Sequence, residues 1–133
     1  MKIDTVEDHQ NGTFIIRIYD LDKEDIDALT CTFNRIAKND DMERNAIWDS
    51  SNVIKLVGSV CSNKLTEKHI SFDKNIIKIS MSSADWIYAG SLVEQFRQVS
   101  TDRNRFQWLS EEIIDDNGRS YDLLIAESRD GRW

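Results

Sequence analysis

Proline is absent from the 133 residues, where ordinary usage would place about six, so turns must be made by Gly, Asn, Asp or Ser. Glycine is sparse too: five residues, at 12, 58, 90, 118 and 131, no two closer than thirteen positions. Loops that cradle phosphate need clustered glycines so that backbone N–H groups converge on the anion, which excludes the Walker loop and the dinucleotide fingerprint. Histidine is limited to His9 and His69, with no His-Glu-x-x-His, and Cys31 and Cys61 stand thirty positions apart with no Cys-x-x-Cys. A conventional zinc site and a disulfide framework are thereby excluded. Both thiols are expected reduced and packed in the core, as free cysteines usually are. No apolar run approaches the roughly 18 residues of a membrane span. The opening ten residues are acidic where a signal peptide would be apolar. A cytoplasmic protein is the expectation.

What is present suits a soluble globule: 40% hydrophobic and 31% charged residues, in a length that predicts one domain over 1–133 and a core without staples. No linker, repeat or low-complexity tract interrupts it. Three hairpin signals stand out. Gln10-Asn11-Gly12 precedes the apolar run Phe14 to Leu21, Asp73-Lys74-Asn75 separates Ile70/Phe72 from Ile77/Ile79/Met81, and Asp115-Asp116-Asn117-Gly118 separates Phe106–Ile114 from Tyr121–Ala126. Helical periods lie between them. Ile26, Leu29, Phe33 and Ile36 share one face after an Asp22 N-cap. A second helix is expected from Asp41 over Met42, Ala46 and Ile47, and a third over Val53, Leu56, Val57, Val60 and Cys61. Ser82-Ser83-Ala84-Asp85 reads as a capping box opening a helix with Trp86, Ala89/Gly90, Val93 and Phe96 inward. The predicted class is α+β: an antiparallel sheet of hairpins in the order ββ-ααα-ββ-α-ββ, with helices packed on one face.

Tests for chemistry return little. Asp20-Leu21-Asp22-Lys23-Glu24 imitates a calcium loop, but Asp25 stands where the loop needs Gly and Cys31 where it needs a bidentate Glu. Its better description is a helix N-terminus. His69, beside Ile70 in a strand, points to the sheet's other face and reads as structural. Carboxylate pairs are too abundant to indicate acid–base catalysis. No catalytic residue, metal or cofactor is expected.

Charge is more informative. The net charge is −7, which opposes direct binding to a phosphate backbone. Residues 1–52 balance at −6, 53–105 at +3 and 106–133 at −4. Acids concentrate at Asp20–Asp27, at Asp40, Asp41 and Glu43, and at Glu111, Glu112, Asp115 and Asp116. Were the last hairpin to lie near the first helices, these would merge into one field able to steer a basic partner; plain solubility is the alternative. Trp48 and Trp133 stand beside the acids as candidate anchors for a partner. Trp86 and Trp108 are assigned to the core.

The stretches Phe106-Gln107-Trp108-Leu109, Tyr121–Ala126 and Asp130-Gly131-Arg132-Trp133 resemble the tail of small bacterial proteins of toxin–immunity loci. The overall plan, small, acidic and without catalytic motifs, resembles immunity proteins of contact-dependent growth inhibition. The resemblance implies a protein, monomeric when free, that binds and neutralises the toxic C-terminal domain of a cognate toxin, of basic surface and nuclease class, as a tight one-to-one complex. The residues expected to meet it are Asp40, Asp41, Glu43, Trp48, Glu111, Glu112, Asp115, Asp116 and Trp133. The rivals are an acidic secretion chaperone that holds an effector segment as a homodimer, and a small hydrolase or transferase using scattered carboxylates.

Overall fold

The computed structural model describes residues 1–38, 46–61, 68–98, 104–131 and 133. Its strands are β1 (Lys2–Asp8), β2 (Thr13–Tyr19), β3 (Ala46–Trp48), β4 (Lys55–Val60), β5 (His69–Asp73), β6 (Ile76–Met81), β7 (Phe106–Ile114) and β8 (Ser120–Ala126). Helix α1 (Lys23–Ala37) follows β2, and α2 (Ser83–Glu94), extended by a 3-10 turn at Gln95–Arg97, follows β6. The α+β class stands, and the three expected hairpins form where the turn residues place them. Gly12 and Gly118 take the positive φ that their turns require, 66° and 78°. No helix among the described residues is long and apolar enough to cross a membrane.

Two stretches expected as helix are strands instead, with Asp41 and Met42 of the first outside the described residues. Ala46 and Ile47 belong to β3, and Lys55–Val60 forms β4. Leu56, Val57 and Gly58 are all buried, the mark of a strand covered on both faces, and such a short apolar run cannot be told from a helix by periodicity. The sheet is also mixed rather than antiparallel. Its order is β1-β2-β8-β7-β5-β6-β4-β3, with β2·β8, β4·β6 and β5·β7 parallel and the remaining neighbours antiparallel.

The element order repeats along the chain. The order ββαββ occurs twice, β1–β4 around α1 and β5–β8 around α2. Each helix carries the chain from one group of four strands to the other, so that β1-β2-β8-β7 and β5-β6-β4-β3 are built alike. Registers repeat as well: Ile3 opposes Ile18 as Ile70 opposes Ile79, and Leu123 opposes Ile16 as Leu56 opposes Ile77. The trace of this order in the sequence is Ile15-Ile16-Arg17-Ile18 against Ile76-Ile77-Lys78-Ile79, too short to register as a repeat by itself.

The core lies between strands and helices. Ile26, Leu29, Phe33 and Ile36 of α1 are all buried, and Asp22 caps the helix with the reciprocal bonds of a capping box with Asp25. Ser82 caps α2 by accepting the Asp85 N–H at 3.1 Å, and Ser83 Oγ donates to the Ala37 carbonyl at 2.6 Å, tying the start of α2 to the end of α1. Trp86 is fully buried, its ring 5.6 Å from that of Phe33. A Cβ on Gly58 would lie 2.5 Å from Ile36 Cδ1 and 2.8 Å from the Trp86 ring, so β4 must be bare there. Cys31 departs from expectation: it is exposed, because Thr30 and Thr32 take the inward positions on either side of it. Cys61 is half-buried.

Candidate protein-binding groove

Inside the sheet, β7 is paired along its length with β8 but with β5 at a single register position. Leu109 and Ile113 point into the core, while Trp108 lies half-buried on the outer face, so the alternation along the strand is opposite to that expected for this tryptophan. Its ring meets that of Trp133 edge-on at 6.4 Å. Arg17 spans this face: it holds Asp4 through two bonds of 2.6 and 2.7 Å and lies over Tyr19 at 4.8 Å and over Trp133 at 5.9 Å.

The register of β7 against β8 slips between Trp108 and Ser110 and again between Ser110 and Ile113. Glu112 takes a positive φ of 57° there, and its N–H is received by Asp122 at 3.0 Å. Such bulges bend a strand away from its neighbour. On the other edge β7 meets β5 at one register position, His69 against Ile114, backed by the Ile114 N–H to the Lys68 carbonyl at 3.0 Å. From Phe106 to Glu111, no strand among the described residues pairs with that edge.

Beside the edge runs α2, leaving two clefts that meet at Gln107. The first, about 480 Å³, is lined by Lys68, Asp85, Tyr88 and the run Gln107–Glu111. The second, about 430 Å³, is lined by Gln95, Phe96, Gln98 and residues 104–107. Tyr88 is 61% exposed and its neighbour Ile87 58%. Two carbonyls of the edge are met by side chains: Gln107 Nε2 donates to Trp108 at 3.1 Å and Lys68 Nζ to Glu111 at 2.9 Å.

The expected partner-binding residues are dispersed. Asp40, Asp41 and Glu43 lie outside the described residues. Trp48 is half-exposed on β3, with the Lys55 ammonium 5.1 Å above its ring. Trp133 is on the outer face beside Trp108, and Glu111 lines the first cleft. Asp115 is consumed by its own turn, accepting the N–H groups of Asn117 and Arg119 and the Tyr121 hydroxyl. Partial desolvation pushes its pKa upward, but these bonds outweigh it and hold the carboxyl below its usual value. Asp116 reaches His69 at 2.8 Å.

The acids at the start of α1 do not join those of the last hairpin. β8 runs parallel to β2, so its start, after the Asp115–Gly118 turn, stands beside Phe14, whereas α1 begins beyond the far end of β2. Seven residues of strand separate them, about 20 Å. The expected single field is therefore two fields on this pair of clusters.

Lys68, Asp85, Tyr88 and Gln107 were not legible as site residues. The available signal was the pair Ile87-Tyr88, large apolar groups off the face defined by Trp86, Ala89, Gly90 and Val93. Among the described residues, no group of three or more His, Cys, Asp or Glu side chains is placed to hold a metal ion. The groove offers main-chain groups, the carboxylates of Asp85 and Glu111, the Tyr88 phenol, the Lys68 ammonium and the Arg105 guanidinium. No protein-family model, curated protein or solved structure matches this chain.

Proposed function

We propose that the chain is a protein-binding inhibitor: a cytoplasmic immunity protein that neutralises the toxic domain of a cognate toxin, of nuclease class, by forming a one-to-one complex. The observation that carries this reading is the groove between α2 and the open edge of β7. Asp85 and Glu111 lie in its walls, and Glu112 and Asp116 follow on the same hairpin. A nuclease must be basic around the cleft that holds phosphates, and acids on an inhibitor raise the rate at which such a surface is met. Trp133, half-exposed beside Trp108, supplies an aromatic anchor of the type that dominates protein interfaces.

The test is co-expression with the protein encoded immediately upstream. A one-to-one complex on size exclusion and survival of toxin-expressing cells are expected; a toxin there that neither binds nor is neutralised refutes the proposal. Reversing charge at Glu111 and Glu112 slows association and flattens its salt dependence; the same reversal at Asp40 and Asp41 shows whether that segment shares the interface.

The exposed pair Ile87 and Tyr88 favours the second reading, a secretion chaperone that holds an effector segment as a homodimer. A stable dimer mass for the free chain selects it over the inhibitor.

A further inference from the structure

We infer that the groove takes an extended, basic segment of the partner protein as an added strand along β7, an inference that rests on the binding function proposed above. In an antiparallel pair, residues alternate between those that exchange hydrogen bonds with the neighbour and those whose main-chain groups face away. The Glu127 N–H donates to the Arg105 carbonyl at 2.9 Å, which makes that pair a bonded one. Gln107, opposite Ile125, is then bonded to β8 too, while Phe106 and Trp108, opposite Ala126 and Leu124, turn their main-chain groups to the open side. That is the template for strand addition, in which main-chain bonds supply affinity and side-chain pockets supply specificity.

Charge selects the occupant. Asp85 stands on the helix side of the first cleft and Glu111 at its strand side, with Glu112 beyond. Lys68 lines the same cleft with its ammonium on the Glu111 carbonyl, and Arg105 of the second cleft is paired with Glu127, so a lysine or arginine projecting from the added strand meets a carboxylate on either wall. Exposed Tyr88 offers an aromatic face to its stem or to an apolar neighbour. A second copy of this chain is disfavoured as occupant. The bulges after Trp108 break the register that two β7 strands would share, and Lys68 and Gln107 occupy edge carbonyls, the usual means of discouraging self-pairing. A partner strand has to displace the Gln107 amide, which lies on the strand it joins.

The probe is a short fluorescein-labelled peptide of alternating lysine and valine, titrated into the full chain by anisotropy with amide shifts followed by NMR. Saturable binding that moves the Phe106–Glu111 amides is expected. Methylating alternate peptide nitrogens, replacing lysine by glutamate, or the variants Trp108→Pro and Glu111→Lys should each weaken it by about tenfold or more. Proline at Trp108 removes an outward N–H and leaves the β8 ladder intact. Undiminished binding of the methylated peptide, or shifts confined to another surface, overturns the inference, as does a dimer of the free chain that Trp108→Pro abolishes. A complex with the upstream-encoded protein that is unaffected by both variants overturns this seat and leaves the proposed function standing. Failure of that protein to bind at all, with the peptide still bound at β7, removes the function and leaves the seat.

Discussion

At the junction of β3 with β1, the Ser50 N–H donates to the Met1 carbonyl at 2.9 Å, and β3 is three residues long. At the equivalent junction of β7 with β5, the Ile114 N–H donates to the Lys68 carbonyl at 3.0 Å, but β7 is nine residues long and most of it extends past β5. Among the described residues, the same plan thus shows three residues of strand at one seam and, at the other, a long edge beside a groove that no strand pairs with. The turns that follow β3 and β7 are filled alike. Asp49 accepts from the Ser51 hydroxyl and the Val53 and Ile54 N–H groups in the first half, and Asp115 performs the same service for its turn in the second. The halves differ at β7 and where helix and sheet exchange volume. Trp86 lies over Gly58, whereas the corresponding positions by cap and register hold Ile26 and Ile125.

The largest expected effect breaks that exchange of volume. Gly58→Ile, which copies the second half's Ile125 into the first, forces the Trp86 ring and Ile36 apart and should cost about 3 kcal/mol or more in urea unfolding. Adding Trp86→Ile should recover at least about 1 kcal/mol of it, a coupling that independent sites would not show. A strictly additive double variant would show that the two halves do not trade volume as described.

Next is the Arg17 and Lys78 pair, equivalent in register. Arg17 is largely covered and bound to Asp4 by two charge-assisted bonds, while Lys78 is exposed. Arg17→Ala should lower stability by about 2 kcal/mol, and Lys78→Ala by no more than about 0.5 kcal/mol. Equal losses in thermal melts would erase the contrast.

The two turn carboxylates predict a shared acid response. Desolvation alone would raise Asp49, but hydrogen bonds from Ser51, Val53 and Ile54 outweigh it and leave it below the usual value, as at Asp115. A depressed folded pKa contributes stability that is complete above the unfolded carboxylate pKa of about 3.9 and is lost as pH falls through the folded value. Urea midpoints should therefore drop below about pH 4, and Asp49→Asn with Asp115→Asn should flatten that drop. A slope unchanged in the double variant would assign it to other carboxylates.

The smallest effect sharpens the description of the open edge. Hydrogen exchange should find the Gln107 amide protected and the Trp108 amide fast. Similar protection at both would mean that the edge is paired.

Much of the fold was legible in the sequence, and the gaps have physical causes. Turn chemistry does not depend on the rest of the molecule, so Asn11-Gly12, Lys74-Asn75 and Asn117-Gly118 marked the hairpins, and the Ile26–Ile36 face with its Asp22 cap marked α1. β4 was unreadable as a strand because burial on both faces removes the alternation that identifies one. Trp108 was assigned inward because it alternates with Phe106, but Leu109 and Ile113 take the core side of β7 and leave Phe106 exposed and Trp108 outward. Of the expected contact residues, Glu111 is in the groove, while Asp115 is spent on its turn, a distinction invisible when carboxylates are counted by position.

Composition, turn residues and helix caps are local quantities, and from them the sequence by itself determined an acidic α+β chain of hairpins and amphipathic helices without a phosphate loop. Strand order, the parallel pairs and the free edge of β7 depend on which hairpin lies beside which. That is settled by burying Leu123 beside Ile16 and Leu56 beside Ile77, contacts between residues distant in the chain. Only the tertiary structure could decide them, because the free energy of a distant pairing belongs to the packed core and not to either segment alone.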